Sequence, residues 1–501
     1  MRGTVQARLR GLAGRAARTT GLAVLAVAVC ATAAPAEPIP QLAVPADAAL
    51  DAVGVNTKFT DTTDAHCGLV PALVAGLRDL HVRHVRDAVS TWDKAVTRCQ
   101  WVDPSGAPRD ERAIDLLAGL APNVRTMLLV GAMNRTTWLQ GLTVAQVLDR
   151  VDREGPENDV LDAAEILARA GALEGMEGAN EFDLAGLRTF RIGGEEYYPW
   201  RSTLRAHQAG LYARVKAASR PLLRDTPLLG PSFGRLASYA AYTENGLRAS
   251  ETQDAGNLHF YTGGAIPEKD VDDAVDAGRL VADGQPLIVT ETGYHTAPLP
   301  RGSYGELTGV PEAVAAVYLP RLVLELQRLG VDRSYLFELR DHRDFGPQDG
   351  ESYYGLLRWD GSRRPAFGAM ARLLETLDDP GPAYDPAPLS YELAGDLRGV
   401  RSRLFGRRDG SYVLALWRAE PVWEPFTGLP LPVWPRNVNV VLAEPDRYDA
   451  VTGRPSQGGG DDPLRWRAAR RAAGPITLDL TGDVQLLKLS PRGAALLRAR
   501  S

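Results

Sequence analysis

From residue 52 to about 375 the chain alternates short apolar runs with longer stretches whose apolar residues recur near helical spacing. The short runs, over 52–58, 81–88, 124–130, 172–178, 226–230, 257–261, 286–290 and 333–337, read as eight strands. Between them, 71–80, 112–120, 144–151, 161–169, 204–220 and 310–329 read as helices. Strand–helix alternation of this kind joins parallel strands by crossovers. Eight units over some 320 residues predict a closed (β/α)₈ barrel with some long loops. A doubly wound sheet is the alternative. It would normally carry a Gly-rich turn after the first strand, and Gly54-Val55-Asn56-Thr57-Lys58-Phe59 has none.

The rhythm stops at a Pro-rich stretch, where Pro380, Pro382, Pro386 and Pro388 crowd residues 378–390. Beyond it the runs 411–417, 438–442, 476–480 and 484–489 are β-rich, and turn signals such as Arg408-Asp409-Gly410 and Thr452-Gly453 separate them. This predicts a small antiparallel β-sandwich. The expected organisation is a barrel over 37–378 and a β-sandwich domain over 379–501, with a mobile loop over 456–462.

The first 36 residues stand outside this pattern. Arg2, Arg8, Arg10, Arg15 and Arg18 precede an apolar run over 21–30, and Ala34-Pro35-Ala36 follows it. That is the grammar of a secretory signal peptide, and the run is too short to span a bilayer comfortably. Export is therefore expected, with cleavage after Ala36. The whole chain has 501 residues and a net charge of −5, and losing five arginines makes it more acidic. An acidic surface disfavours nucleic acid and an anionic membrane as partners. Cys67 and Cys99 would remain, and in an exported chain they invite a disulfide, with two free thiols as the alternative. Two cysteines and scattered histidines show no metal-ligand spacing, so neither a metal nor a cofactor is expected.

In such a barrel the loops at the C-terminal strand ends hold the site. Strand 4 ends Met176-Glu177-Gly178-Ala179-Asn180-Glu181, and strand 7 ends Ile288-Val289-Thr290-Glu291. Glu181 and Glu291 thus sit across the barrel mouth from each other, the placement that retaining glycoside hydrolysis requires of its two carboxyls. Asn180 can reach a sugar hydroxyl. His259 and Tyr261 share one face of strand 6 by alternation, and a Tyr hydroxyl near Glu291 would orient it. Arg86 at the end of strand 2 would hold Glu291 ionised, unless it pairs structurally with Asp87 or a helix carboxylate. Trp138 is a candidate sugar platform, and Trp92 and Trp200 are weaker ones, since Trp is largely buried on average. Gly230-Pro231-Ser232-Phe233-Gly234 also matches a serine-nucleophile elbow, although the same residues suit a turn after strand 5.

With these residues in place, the chain resembles the clan-A retaining glycoside hydrolases. The resemblance rests on Asn180-Glu181, Glu291, the His259-x-Tyr261 pair and Val85-Arg86, and it covers about residues 50–375. The stretches 177–183 and 354–366 are similar to the xylosidase- and iduronidase-like branch. The resemblance implies Glu181 as acid/base, Glu291 as nucleophile, Arg86, Asn180, His259 and Tyr261 as helpers, an oligo- or polysaccharide or glycoconjugate substrate, and no cofactor. Two departures stand out: Phe182 follows the Asn-Glu pair where the clan often has Pro, and strand 8 ends Tyr335-Leu336-Phe337-Glu338 where many members have Trp. A non-catalytic carbohydrate-binding protein, or a transglycosylase using the same glutamates, remains the alternative.

Overall fold

The computed structural model describes residues 38–60, 67–89, 96–131, 157–184, 190–192, 195–197, 199–244, 246–298, 308–341, 345–471 and 474–492. The expected signal peptide over 1–36, the helix expected over 144–151, Trp92 and Trp138 lie outside the described residues.

Eight parallel strands form the barrel: Val53–Asn56, His84–Ala88, Arg125–Gly131, Leu173–Ala179, Leu228–Leu229, Gly256–Phe260, Leu287–Thr292 and Arg333–Leu336. Each overlaps a segment expected from the pattern. Numbered along the chain, they hydrogen-bond in the order 5-4-3-2-1-8-7-6. Strand 5 is a two-residue fragment, and the barrel closes beside it. Leu229 bridges Ala255 in parallel, Gly230 N–H donates to Ala255 O at 3.0 Å, and Asp254 N–H donates to Leu228 O at 2.7 Å. Close approach needs glycine here, because a Cβ on Gly230 would lie 2.2 Å from Gln253 Oε1.

A helix follows every strand in turn: Val70–Asp79, Ala113–Ala118, Glu157–Arg169, Pro199–Val215, Leu236–Thr243, Val271–Ala282, Glu312–Arg328 and Pro365–Leu377. An antiparallel hairpin, Arg98–Val102 with Pro108–Arg112, precedes the second of these. Cys99 on that hairpin is disulfide-bonded to Cys67, with the two Cα atoms 5.2 Å apart.

The N-terminal ends of strands 2, 4 and 8 hold a polar cluster that the apolar pattern did not announce. His84 bonds Glu174 through Nδ1 and Asp51 through Nε2 at 2.9 Å. Arg333 bonds Glu174 at 3.3 Å and Asp51 at 3.2 Å, and the Tyr335 hydroxyl donates to Glu174. Each charge in this closed end of the barrel therefore has opposite charges beside it.

The C-terminal part is a two-sheet sandwich. One sheet is built on Leu389–Gly395, Arg436–Leu442 and Ile476–Leu480, the other on Val400–Gly406, Tyr412–Arg418, Gln485–Pro491 and Tyr448–Gly453. Its inner faces alternate buried and open residues, as in Ile476–Leu480. Residues expected to open the barrel instead join these sheets. Ile39–Gln41 pairs antiparallel with Leu389–Gly395, and Val44–Pro45 pairs parallel with Val400–Gly406. Strands of three and two residues are too short to leave a periodic trace, so only the partner's register defines them.

Helix Glu312–Arg328 lies under the sandwich, and its buried residues run without a break from Tyr318 to Gln327. A helix buried on all sides is apolar all round apart from residues that find partners. Arg321, fully buried, bonds Glu268 bidentately and donates to Glu420 O at 3.0 Å and Gly482 O at 3.1 Å. Trp417 Nε1 donates to the same Glu268 at 2.9 Å. The loop expected to be mobile over 456–462 is also tied down. Arg372, on helix Pro365–Leu377, donates to Pro455 O at 2.7 Å, Gly459 O at 3.0 Å and Asp462 O at 2.5 Å.

Candidate active site

The C-terminal strand ends converge on Arg86, which is 4 % exposed. Strand register sets its neighbours: Asn56 lies beside Arg86 on strand 1, and Arg86 beside Met127 on strand 3. The guanidinium binds Glu177 bidentately, Nε at 2.5 Å and Nη2 at 2.8 Å. It also donates to Glu291 Oε1 at 2.6 Å, to Asn180 Oδ1 at 2.7 Å and to Asn56 Oδ1 at 2.8 Å. All five N–H groups of the fork are thereby engaged. The structural alternative for Arg86 is only half of its role. Its partner is Glu177 rather than Asp87, which instead caps the Thr57–Thr60 turn.

His259 is aimed by an irregularity in the sheet. The pairing of strands 6 and 7 shifts between Leu258 and His259, so that His259 sits opposite Glu291. Such a bulge re-aims side chains. His259 Nδ1 lies 2.9 Å from Glu181 Oε1 and 3.5 Å from Glu291 Oε2, and Nε2 lies 3.0 Å from Thr290 Oγ1. The Tyr261 hydroxyl donates to Glu291 Oε2 at 2.9 Å.

Glu181 is held differently. Its φ is +46°, in the left-handed region that a residue with a side chain seldom occupies. The segment after strand 5 supports this turn: Ser232 N–H donates to Ala179 O at 3.0 Å, and Glu181 N–H donates to Ser232 O at 3.1 Å. Ser232 itself is fully buried, and its Oγ has no hydrogen-bond partner among the described residues. A nucleophilic serine must present its oxygen to substrate with a base beside it, so the elbow reading fails here.

Charge sorts these groups. Burial pushes the Glu291 carboxyl up, but the positive charges of His259, Arg86 and Lys58 outweigh it and leave Glu291 below its ordinary value. Burial also works against Glu177, and Arg86 and His259 pull it down to about 2. His259 is driven the other way. Burial disfavours its charge, yet Glu291, Glu177 and Glu181 raise it to about 10, so the ring is an imidazolium at neutral pH. Burial, then the charge of Glu291, holds the Tyr261 phenol far above its usual value and keeps it a donor.

The structure brings Glu181, Glu291, Arg86, Asn180, His259 and Tyr261 together. One oxygen each of Glu181 and Glu291 and a His259 nitrogen lie within 4.8 Å of one another. Three groups escaped the sequence reading. Glu177, fully buried, shares Arg86 with Glu291; an acid inside an otherwise apolar strand run was its signal. Asn257, on strand 6, donates to Glu177 at 2.9 Å across the strand-5 position. Glu351, in the short helix Gly350–Tyr353 beyond strand 8, is pushed up to about 8 by burial and then by the charges of Glu291, Glu338 and Glu181. It is a neutral acid at pH 7, and nothing in its local sequence marks it.

No protein-family model matches the chain, and no curated protein matches it. Solved structures do. A family 39 glycoside hydrolase from the gut symbiont Bacteroides cellulosilyticus WH2 is similar over 89% of this chain and 82% of its own, at 16% identity and a TM-score of 0.56. A glucosidase from Croceicoccus marinus is similar over 90% of this chain and 97% of its own, at 13% identity and a TM-score of 0.53. At these identities the likeness is one of fold. It extends through the barrel and on into the β domain, the architecture that the motif resemblance implied.

Proposed function

We propose that the chain is a retaining glycoside hydrolase, with Glu291 as nucleophile and Glu181 as acid/base. The observation that carries this reading is the approach of the two carboxyls, one oxygen of each within 4.8 Å of the other. Retaining enzymes hold their carboxyls about 5–5.5 Å apart, whereas inverting enzymes leave about 6.5–9.5 Å for a water. The two fold neighbours, a glycoside hydrolase and a glucosidase, agree with this reading.

The electrostatics support the division of roles. Glu291, kept anionic by His259 and Arg86, attacks the anomeric carbon and forms a glycosyl ester as the bond to the leaving oxygen breaks. Glu181, oriented by His259 at 2.9 Å, delivers a proton to that oxygen. In the second half Glu181 takes a proton from water, the water oxygen attacks the anomeric carbon, and Glu291 leaves as carboxylate. Neither half needs a metal or an organic cofactor. Asn180, fixed by Arg86 through its carbonyl oxygen, keeps its amide N–H groups for a sugar hydroxyl.

We also propose that the protein is exported. The Arg-rich and then apolar leader supports this, and so does the Cys67–Cys99 disulfide, which persists in oxidising compartments.

A 2-deoxy-2-fluoro glycoside with a good leaving group tests the mechanism, because the fluorine slows the second step more than the first. Peptide mass spectrometry should find one sugar ester on Glu291 and none in Glu291→Gln. An ester on another residue, or full turnover by Glu291→Gln, would overturn the assignment.

A further inference from the structure

A second concave site lies wholly within the β-sandwich. It is a cleft of about 320 Å³, bounded by Thr452–Gly453 and Arg467 from one sheet and by Thr477–Asp479 from the other. That volume is at the lower end of what small-ligand sites occupy. None of its lining residues belongs to the barrel.

Three guanidinium groups line this cleft, those of Arg454, Arg465 and Arg467. Asp479 is the one acidic residue in the lining. Arg454 is held in place: it donates to Asp479 O at 2.5 Å and lies 3.9 Å from Asp483. Arg465 and Arg467 are exposed, and among the described residues no carboxylate pairs with either. Three arginines around one hollow repel each other, and in an acidic protein such a concentration of positive charge is a local departure.

The wall is also preorganised. Arg454 and Gln457 sit at the start of the loop whose carbonyls are captured by Arg372, and Gln457 N–H donates back to Arg454 O at 3.1 Å. A rigid wall lowers the ordering cost of binding. Beside the arginines the cleft offers the amides of Gln457 and Gln485 and the hydroxyl of Thr452, groups that suit sugar hydroxyls.

From these residues we propose that the cleft binds an acidic saccharide, with Arg465 and Arg467 forking onto a carboxylate or sulfate ester and Arg454 forming the floor. Planar guanidinium groups match both oxyanions bidentately. The site is separate from the Glu181–Glu291 pair and does not rest on the glycosidase reading.

Calorimetric titration of the whole protein with dextran sulfate oligosaccharides, with oligogalacturonate and with neutral dextran tests this. One of the acidic chains should bind saturably, more weakly as salt rises, and neutral dextran should not. Arg465→Ser/Arg467→Ser should weaken that binding by more than about tenfold, since it removes both charge-assisted forks. Its melting temperature and its turnover of a small aryl glycoside should stay those of the parent. The tighter of the two acidic chains identifies the acid group. No binding of either, equal binding by the double variant, or inorganic sulfate binding as tightly as dextran sulfate would overturn the proposal. Because the titration reads binding alone, its failure is separate from failure of the fluoro-sugar trapping.

Discussion

The two ends of the barrel carry charged networks on the same strands, and they are built to opposite purposes. Strand 2 supplies His84 to the closed end and Arg86 to the open end; strand 4 supplies Glu174 to one and Glu177 to the other. At the closed end, His84, Glu174, Asp51, Arg333 and Tyr335 bond to one another, and Asp51 is drawn down to about 2 against the effect of burial, mainly by His84. At the open end, Arg86 also satisfies itself completely, but the chain of bonds stops at two glutamates. The Glu181 side chain keeps 23% of its surface exposed and that of Glu291 11%. At the closed end every member bonds another, even Asp51 at its solvent-facing rim, and such a network holds strands in register. A network left open at two glutamates fixes where their side chains point while leaving them accessible.

That contrast can be broken most strongly at Arg86. Arg86→Met leaves Glu177 and Glu291 buried with His259 as their remaining close counter-charge, and removing one member of a buried pair costs about 3–5 kcal/mol. Chemical denaturation should show a loss of that size. Turnover per folded molecule should fall as well, because Glu291 loses one of the charges that keep it anionic and the donor that orients it. A variant as stable and as active as the parent would show that Glu177 and Glu291 are not held as a unit.

Arg333→Met applies the same change to the closed end. It should cost about 1–3 kcal/mol, the range for stranding partly buried acceptors, since Arg333 keeps some solvent contact and His84 remains to pair Asp51 and Glu174. Activity per folded molecule should be unchanged. A turnover deficit larger than the folding deficit would mean that the two ends are coupled through the strands.

The charge of His259 is read by pH. His259 has a folded-state value of about 10 against an ordinary 6.5, so its charge stabilises the fold. That contribution is full below about pH 6.5, declines as pH rises and is gone above about 10. Thermal melts should therefore lose stability between pH 7 and 10, and His259→Gln should flatten that slope. An unchanged slope in the variant would place the titration elsewhere.

The architecture was legible wherever repetition carried it. Eight apolar runs at barrel spacing gave strand positions that the structure reproduces, because each run is buried on both faces and so cannot hide among polar residues. Helices Val271–Ala282 and Pro365–Leu377 and strands Leu389–Gly395 and Val400–Gly406 were not read out. Charged outer faces dilute the apolar signal in Val271–Ala282, and Val400–Gly406 carries arginines at alternate positions. Glu181 and Glu291 were legible because each falls at the C-terminal end of a strand, where the barrel builds its site.

What the chain determined by itself, then, is local and periodic: which segments are strands, which way their side chains alternate, and which acids fall at their ends. What only the tertiary structure decided is pairing between distant segments. Arg86 meets Glu177 and Glu291 across 91 and 205 residues. Ile39–Gln41 crosses to the sandwich, and Ser232 supports the left-handed turn of Glu181 through its backbone rather than its hydroxyl. The same pairing turns His259 into a cation. The energy of a buried charge depends on partners that come close only when the chain closes into a barrel, and no window of sequence contains them all.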